Sequence, residues 1–369
     1  MRYYLIAGEA SGDLHGANLM KSLKAEDAEA EFRYFGGDLM QSEGGELVKH
    51  YSEMAFMGFV EVLANLGTIY KNLKTAKNDI LEYSPDVLIL IDFPGFNLKI
   101  ADFAKKHKIK VFYYISPKVW AWNQKRVLKI KKVVDRMFCI LPFEVDFYKA
   151  WGMEVDYVGN PLLDAIEGNV EDESFALRHN LQVNPVIALL PGSRKQELNK
   201  LLPEMMAVAD RFPQYQFIIA GAPGLTEKDY QPFIGNRPVK VIFNETYNLL
   251  LNSMGAVVTS GTATLETALL KVPQVVVYKG NAVSIAIARL VVKIHFISLV
   301  NLIMDEEVVK ELIQTDCNPD KIEQELNNIL HDPLYRTRML INYDELAIKM
   351  GQPGASSRTA KLMMSYLAE

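Results

Sequence analysis

The first twenty residues restrict the fold of this chain more than any other stretch. A short apolar run at 3–7 ends at Gly8, small and polar residues fill 9–13, and apolar residues at helical spacing follow in 14–20. A strand, a loop of small residues and a helix N-terminus, in that order, form the opening unit of a doubly wound α/β domain. Ligands of such domains bind beyond the carboxyl ends of the strands, which is where this loop lies.

The loop between this strand and this helix has the composition of a ligand-binding turn. Gly8 and Gly12 let the backbone approach a ligand closely, and the helix N-terminus offers unpaired N–H groups. The pattern is not G-x-G-x-x-G, so it does not predict a dinucleotide site. Three ionisable side chains, Glu9, Asp13 and His15, make the loop more than a phosphate cradle, and Asp13 and His15 are candidates for acid–base chemistry. The alternative is that Ser11 or Asp13 only caps the helix.

Apolar strand candidates recur in two series along the chain. Those of the first half are 3–7, 32–35, 86–91, 110–115, 136–140 and 155–158, and those of the second half are 186–190, 216–220, 239–243, 255–259 and 274–278. Uninterrupted apolar strands that alternate with helices are typical of parallel sheets covered on both faces. The chain of 369 residues exceeds most single cores. We therefore predict an α/β fold of two Rossmann-like domains, 1–165 and 166–345, with an interdomain cleft and a C-terminal helix at 346–369.

Composition argues against several classes of protein. The net charge of −5 gives no whole-molecule case for nucleic-acid binding. Cys139 and Cys317 are the two cysteines, too few for a disulfide framework, and they fit a reducing cytoplasm. We expect no signal peptide, because the sequence shows no charged segment followed by a long apolar one at its start. No His or Cys cluster has metal-ligand spacing, so we expect no metal and no cofactor.

No window reaches about 18 uninterrupted apolar residues, so the sequence predicts no spanning helix. The nearest segment is 282–300, which basic residues interrupt. It is interpreted either as a helix in a membrane interface or as a buried helix with basic ends.

The loop after the predicted strand 186–190 reads Pro-Gly-Ser-Arg. Gly192 permits a tight turn, Ser193 can form a hydrogen bond, and Arg194 can hold a phosphate by two parallel N–H bonds. The alternative is an ordinary turn with an exposed arginine.

The loop at 260–266 indicates an anion-binding site more strongly than the Pro-Gly-Ser-Arg loop does. It follows a predicted strand and opens a helix, so hydroxyls and N–H groups converge there, from Gly261, Thr262, Ala263, Thr264 and their neighbours. Glu266 falls one turn into the helix, where it can accept hydrogen bonds from a ribose diol. Together these sites describe a nucleoside diphosphate. The alternative is a capping box, in which Ser260 or Thr262 caps the helix and Glu266 favours its dipole.

Asp92 ends the predicted strand 86–91 in the first domain. A carboxylate at the C-terminal end of a buried strand, in apolar surroundings, is placed for general-base work, and partial burial raises its pKa. Asp13 and His15 are the competing bases. The alternative is that Asp92 only caps the next helix.

Two tryptophans, Trp120 and Trp122, open a predicted basic helix at 120–133. Its basic residues recur along one helix face, at Lys125, Lys129, Lys132 and Arg136, with Arg126 beside them. Aromatic and basic residues in this pattern suit the interface of an anionic membrane. A solvated basic helix is the alternative.

The segment 54–66 is more apolar than a linking loop needs to be. Its large apolar side chains would form an adaptable surface suited to acyl chains: Met54, Phe56, Met57, Phe59, Val60 and Leu63. An ordinary core helix is the alternative.

Motifs spread along the chain resemble, in order, those of the lipid-A-disaccharide synthase family. They are GEASGDLHGA at 8–17, MGFVEVL at 57–63, SPKVWAWNQKR at 116–126, LPFE at 141–144, VGNP at 158–161, LPGSR at 190–194 and SGTATLE at 260–266. The resemblance runs through nearly the entire chain. It implies a bacterial inverting glycosyltransferase with the GT-B-like pair of Rossmann-type domains.

The resemblance also implies substrates and partners. The family joins UDP-2,3-diacylglucosamine to 2,3-diacylglucosamine 1-phosphate at the cytoplasmic face of the inner membrane, releasing UDP and forming the β-1,6-linked lipid A precursor. An anionic membrane surface is therefore an expected partner. The family dimerises by exchange of C-terminal segments, so a homodimer is expected in which Asn301 and the region near Arg358 act across subunits.

Residue roles follow from the same resemblance. Arg194 and the 260–266 loop look like the UDP site, Asn301 matches an asparagine near the nucleotide, and Asp92 matches the proposed catalytic aspartate. Many members have a second acidic residue where this chain has Gly95, which makes Asp92 the essential carboxylate. The enzymatic alternative is a UDP-N-acetylglucosamine 2-epimerase, which shares the two-domain plan. The non-enzymatic alternative is a nucleotide-sugar sensor at a membrane surface.

Overall fold

The computed structural model describes residues 1–54, 65–170, 172–280 and 295–369. Within them the strands are β1 Arg2–Ala7, β2 Glu31–Gly36, β3 Glu46–His50, β4 Val87–Ile91, β5 Lys110–Tyr114, β6 Arg136–Cys139, β7 Asp156–Tyr157, β8 Val186–Leu190, β9 Gln216–Gly221, β10 Lys240–Phe243, β11 Ser253–Thr259, β12 Gln274–Tyr278 and β13 Glu311–Ile313. Short 3-10 turns lie at Tyr51–Glu53, Gln124–Arg126 and Gln314–Asp316.

The helices of the same residues alternate with these strands. They are α1 Ala10–Glu26, α2 Asp38–Ser42, α3 Leu66–Tyr83, α4 Pro94–Lys106, α5 Val119–Trp122, α6 Val127–Val133, α7 Phe143–Ala150, α8 Pro161–Ile166, α9 Phe175–Arg178, α10 Lys195–Ala209, α11 Glu227–Ile234, α12 Thr246–Leu251, α13 Thr262–Leu269, α14 Leu299–Met304, α15 Pro319–His331, α16 Pro333–Met350 and α17 Ala355–Ala368.

The chain divides into two compact units. The first unit contains Met1–Asp164 and Gln352–Glu369, and the second contains Ala165–Gly351. Each holds one parallel sheet, of order β3-β2-β1-β4-β5-β6-β7 in the first and β10-β9-β8-β11-β12-β13 in the second. The strand order reverses beside β1 and beside β8, as in Rossmann-type domains. The predicted α/β fold of two Rossmann-like domains is confirmed.

The central strands are buried because helices cover both faces of each sheet. In β1, Tyr4 and Ile6 pack on one side, while Tyr3 and Leu5 pack on the other. This alternation follows from the two-residue period of a strand. It explains why these strands read as uninterrupted apolar runs in the sequence.

The C-terminal helix belongs to the first unit. α17 packs against α1, and its residues Ala360 and Met363 join the same core as Tyr3 and Leu5. The Arg358 guanidinium fastens the start of the helix, since its Nε donates to the Val158 carbonyl at 2.9 Å.

The predicted basic helix at 120–133 is wrong as a single element. α5 ends at Trp122, a 3-10 turn follows, and α6 begins only at Val127. The backbone leaves helical geometry at Asn123, where φ is −138° and ψ is 63°. Arg136 begins β6 instead of extending a helix. The basic residues between 125 and 136 therefore do not share one continuous helix face.

Candidate active site

The loops after β1 and β4 lie side by side at the carboxyl edge of the first sheet. The two strands are hydrogen-bonded neighbours, and Ala7 pairs with Ile91 at their ends. Gly8 makes the close contact possible, because a Cβ at this position would overlap the ring of Phe93. Doubly wound domains bind ligands at this switch point. Asp92 therefore stands at the place where a site is expected in the first unit.

Asp92 and Phe93 both adopt left-handed backbone conformations, with φ of 42° and 47°. Such conformations cost on the order of 1–3 kcal/mol for each non-glycine residue. The Asp92 carbonyl is held from two sides, since Asn97 Nδ2 donates to it at 2.8 Å and the Tyr113 hydroxyl donates to it as well. The surrounding core thus imposes the sharp turn that ends β4 at the site.

The electrostatics of Asp92 suit a general base. Burial raises the pKa of Asp92 to about 6. The Lys118 ammonium opposes this effect and lowers the pKa, whereas the Glu9 carboxylate raises it further. A base with a pKa close to the working pH is deprotonated while it still binds a proton well.

Neither competing base has these properties. Asp13 is 2 % exposed, and its carboxylate accepts the backbone N–H groups of Gly37, Leu39 and Met40 at distances of 2.7, 3.0 and 3.1 Å. Those bonds fasten the start of α2, so the structure favours a structural role for Asp13 over the predicted catalytic one. Burial lowers the pKa of His15 to about 4. His15 is therefore a neutral and weak base near pH 7.

The Pro-Gly-Ser-Arg loop follows β8 in the second unit and is closed by the first turn of α10. Glu197 accepts hydrogen bonds from the backbone N–H groups of Ser193 at 3.0 Å and Arg194 at 3.2 Å. Gly192 has a φ of 107°, and a Cβ there would overlap the Glu197 carboxylate. Since Glu197 occupies these N–H groups, the Arg194 side chain, 61 % exposed, is the group that remains for an anion.

The 260–266 loop shares the carboxyl edge with this turn, because β11 pairs with β8. Gly261 precedes α13, and among the described side chains none caps the helix. The Ser260 hydroxyl instead donates to the Ile297 carbonyl at 2.9 Å. The predicted capping alternative for Ser260 and Thr262 is therefore not formed. The N–H groups of Thr262 and Ala263 lie at the end of α13 that favours an anion, whereas the Thr264 N–H donates to the Gly261 carbonyl at 3.2 Å.

Glu266 lies one turn into α13 and is partly buried. The Tyr247 hydroxyl donates to its Oε1 at 3.0 Å. Burial raises the pKa of Glu266. Tyr247 comes from α12, so a different element of the sheet edge orients this carboxylate.

Asn301 is buried, and its amide group is saturated. Its Oδ1 accepts the backbone N–H groups of Val308 at 2.9 Å and Val309 at 3.0 Å. Its Nδ2 donates to the Val309 carbonyl and to Glu311, each at 2.9 Å. An asparagine amide makes about four such bonds in all. The geometry therefore assigns Asn301 to holding the segment before β13, in place of the predicted contact with a nucleotide.

Of the residues predicted for acyl or membrane contact, some are buried and some lie outside the described residues. Trp120 is 7 % exposed and donates its Nε1–H to Glu144 at 3.2 Å, so burial overturns its predicted membrane contact. Met54 is buried as well. Outside the described residues lie Phe56, Met57, Phe59, Val60, Leu63 and the segment 281–294.

An exposed aromatic and basic surface remains around Trp122, which is 51 % exposed. The Arg126 guanidinium lies over its ring, 4.9 Å from the ring centroid. Lys125, Leu128 and Lys129 are exposed nearby in sequence. This surface keeps the composition that suits an anionic membrane interface.

In the part of the chain that the structure describes, no three His, Cys, Asp or Glu residues are grouped so as to hold a metal ion. No helix among those residues is long and apolar enough to cross a membrane. Both cysteines are buried and unpaired.

The sequence motifs did not assign a role to three residues at these edges. Lys118 lies within the SPKVW motif and Glu144 within the LPFE motif. These motifs marked both residues but predicted no role for either. Tyr247 lies in no motif, and its place in the first turn of α12, shortly after β10, is the signal that could have found it.

Solved structures match the fold over the whole chain. UDP-GlcNAc 2-epimerase from Neisseria meningitidis, bound to UDP-GlcNAc, has a TM-score of 0.65 and 12 % identity over 100 % of both chains. The S. aureus MnaA–UDP co-structure has a TM-score of 0.70 and 13 % identity over 100 % of this chain and 97 % of that one. CalG4, the calicheamicin glycosyltransferase, has a TM-score of 0.63 and 15 % identity over 100 % and 99 %. These likenesses establish the fold.

The two sheets and their loops define a protein of the GT-B class. Sequence comparison is more specific. The chain belongs to the lipid-A-disaccharide synthetase family, which matches residues 3–362. The lipid-A-disaccharide synthase of Geobacter metallireducens is 38 % identical over 375 residues, which cover 100 % of this chain and 98 % of the relative. That of Syntrophus aciditrophicus is 40 % identical over 374 residues, covering 98 % and 97 %. The chain is an enzyme, a glycosyltransferase of lipid A biosynthesis.

Proposed function

We propose that this enzyme joins UDP-2,3-diacylglucosamine to 2,3-diacylglucosamine 1-phosphate, with inversion at the anomeric carbon, to give the lipid A disaccharide 1-phosphate and UDP. One observation carries the proposal. Asp92 ends a buried strand at the switch point of its sheet, and burial brings its pKa to about 6. The names of the full-length relatives support the same reaction.

In the proposed reaction, Asp92 accepts the proton of the acceptor 6-hydroxyl. The resulting oxygen attacks C1 of the donor sugar from the face opposite UDP. The bond between C1 and the diphosphate oxygen breaks, and its electron pair leaves with UDP. Lys118 supports this role, because its charge favours the ionised form of Asp92 before the proton is taken.

The second unit would hold the donor nucleotide. Arg194 and the N–H groups at the start of α13 would stabilise the charge that develops on the leaving diphosphate. Glu266 would accept hydrogen bonds from the ribose diol, with its direction set by Tyr247. These protein groups supply the charge stabilisation, so the proposed transfer uses neither a metal nor a cofactor.

The test is incubation of the purified protein with both diacylglucosamine substrates, followed by mass spectrometry for the disaccharide 1-phosphate and UDP. The proposal expects both products in equal amounts. Incubation with UDP-N-acetylglucosamine alone should give no 2-epimer, which distinguishes the epimerase alternative. Binding of UDP and lipid without turnover would favour the sensor alternative and overturn the proposal.

Glu266→Ala tests the assignment of the ribose. We expect UDP to bind about 10–150-fold more weakly, because a hydrogen bond to a charged group contributes about 1.5–3 kcal/mol. The affinity for 2′,3′-dideoxy-UDP should not change, because this analogue has no diol to lose. Calorimetric titration measures both. An equal loss for the two nucleotides would show that Glu266 does not contact the diol.

We also propose that the enzyme lies peripherally on the cytoplasmic face of the inner membrane, with the surface around Trp122 against anionic lipid. Trp122→Ala combined with Lys129→Ala should weaken sedimentation with phosphatidylglycerol vesicles by about tenfold, since one basic residue near such a surface contributes about 1 kcal/mol and the indole adds to it. The matched control is Leu177→Ala with Lys228→Ala, an exposed pair in the second unit. Equal losses in both double variants would contradict the assignment.

A homodimer with exchanged C-terminal segments is proposed as well. The contacts of α17 with α1 and of Arg358 with the Val158 carbonyl are made within one chain. A second copy could make the same contacts with its own segment, as in domain swapping. Analytical ultracentrifugation tests this proposal.

A further inference from the structure

Glu144 is a buried carboxylate for which the proposed reaction has no use. It lies in the first turn of α7, directly after β6, and is 1 % exposed. Its Oε1 accepts the Trp120 Nε1–H at 3.2 Å and the Ser116 hydroxyl, and its Oε2 accepts the Leu141 N–H at 3.0 Å.

The three donors to Glu144 are all neutral. Among the described residues, Glu144 forms no ion pair with Lys, Arg or His. A buried carboxylate without a cationic partner is costly, and burial raises the pKa of Glu144 to about 7. A hydrophobic side chain at this position would avoid the cost of burying a carboxylate. We therefore attribute the presence of Glu144 to the hydrogen bonds that it accepts.

Two of these donors follow β5 and lie on either side of Lys118 in sequence, Ser116 in the loop and Trp120 in α5. Ser116 precedes Lys118 by two residues, and Trp120 follows it by two. The loop begins at Ile115, which has a φ of 64°, a strained conformation for a β-branched residue. Hydrogen bonds from both flanks to one buried carboxylate hold this strained loop in a single conformation.

The anchored loop affects the candidate active site through Lys118. Lys118 follows β5, which is the hydrogen-bonded neighbour of β4, and the Asp92 N–H donates to the Tyr114 carbonyl at the end of β5 at 3.2 Å. The positive charge of Lys118 lowers the pKa of the Asp92 carboxyl. The other groups facing Asp92 are the Glu9 carboxylate, at the start of α1, and the Tyr113 hydroxyl, from β5. Lys118 is thus the cation that favours the ionised form of Asp92.

We propose that Glu144 is a positioning residue of the active site: by anchoring Ser116 and Trp120 it holds Lys118 beside the carboxylate of Asp92. The inference rests on the proposed function only in treating Asp92 as the base. Glu144 itself touches neither substrate.

The experiment is a titration of the Asp92 carboxyl followed by NMR in protein labelled with ¹³C-aspartate, assigned by the signal that Asp92→Asn removes. Glu144→Leu keeps the volume but removes both acceptors. We expect it to raise the midpoint for Asp92 by about 0.5–1 unit, part of the 1–3 units that a close opposite charge contributes. Glu144→Gln retains one acceptor oxygen and should shift the midpoint less.

Lys118→Met should raise the Asp92 midpoint at least as far as Glu144→Leu. The double variant should show no further shift, because Glu144 acts through Lys118. The matched control is Glu325→Leu, which removes a buried carboxylate bonded to Tyr335 in the second unit and should leave the Asp92 midpoint unchanged. If Glu144→Leu does not fold, Trp120→Phe with Ser116→Ala removes the same two hydrogen bonds from the other side.

An unshifted Asp92 midpoint in folded Glu144→Leu, or additive shifts in the double variant, would overturn the proposal. The titration does not depend on turnover. If wild-type protein forms no disaccharide while the shifts appear as expected, the proposed function fails and the positioning by Glu144 stands. If turnover is found, the acidic limb of the kcat/KM profile should move with the NMR midpoint in each variant.

Discussion

Asp92→Asn is expected to lower kcat by about 10²–10⁴-fold, which is the usual contribution of a positioned general base. Asparagine has the same shape and tolerates the left-handed backbone at this position, where φ is 42°. The fold should therefore be kept. The proposed UDP site lies in the other unit of the chain, so calorimetric affinity for UDP should not change. Turnover close to that of the unsubstituted enzyme, in folded protein, would remove Asp92 from the mechanism.

The pH dependence of the unsubstituted enzyme gives an independent check of the same assignment. Asp92 must be deprotonated to act, and burial places its pKa at about 6. kcat/KM, which reports the free enzyme, should therefore fall as the pH drops through about 6. In Asp92→Asn this limb should be absent from the residual activity.

The same substitution should stabilise the protein at neutral pH. The native pKa of Asp92, about 6, is higher than its ordinary value of 3.8, so the native state holds more protons than the unfolded state between these values. Stability is therefore lost as the pH rises through this window, and a neutral asparagine does not suffer that loss. We expect a gain of about 1–2 kcal/mol in the free energy of unfolding, after allowing for partial solvent screening.

Denaturant titrations at pH 7.5 and below about pH 3, which is under both pKa values, measure this effect. The gain should be present at the higher pH and absent at the lower one, where the carboxyl is protonated in both states. An equal gain at both values would point to a conformational cause. A substitution that stabilises the fold and strongly lowers turnover is the pattern expected of an active-site residue.

Arg194→Ala is expected to weaken UDP binding by about 30–150-fold, from the loss of about 2–3 kcal/mol of charged hydrogen bonds to phosphate. The Arg194 side chain is 61 % exposed, and its ion pair with Glu197 is long, at 4.0 Å. The guanidinium is therefore available to an anion. Arg194→Lys should restore only part of the affinity, because an ammonium cannot form two parallel bonds.

Uridine provides the internal control for this prediction. It has no phosphate, so its affinity should be the same in Arg194→Ala and in the unsubstituted enzyme. Arg211→Ala is the matched variant, since Arg211 pairs with Asp320 and Glu323 in the same unit. A similar loss for uridine and UDP would mean that Arg194 supports the loop without contacting the phosphates.

Local sequence patterns predicted the parts of this protein that depend on short-range geometry. The strand, loop and helix of 3–20, the apolar strand 86–91 and the turn at Gly192 were recognisable because backbone period and glycine conformation are local properties. The same reasoning failed for the basic helix at 120–133. Helical spacing continued in the sequence, but burial of Trp120 against Glu144 and the break at Asn123 ended the helix.

Two polar residues show the same limit at the candidate site. Asp13 was predicted from the sequence as a catalytic base, and Asn301 was predicted to contact the nucleotide. In the structure the Asp13 carboxylate fastens α2, and the Asn301 amide fastens the segment before β13. A polar side chain either forms hydrogen bonds to the backbone or stays available for a ligand. Which of the two occurs depends on the N–H and C=O groups from distant parts of the chain that lie next to it.

Local sequence patterns were enough to predict the two Rossmann-like sheets, the candidate anion-binding loops at Arg194 and 260–266, and the position of Asp92 at the end of a strand. The burial of Asp92 and its raised pKa could be seen only in the folded protein, because that pKa is set by burial and by Lys118 and Glu9, which come from other loops of the same sheet edge. Strand order brings those loops together, and strand order is a long-range property. Hydrophobic period fixes which residues form a strand, but pairing between strands fixes which side chains share a site.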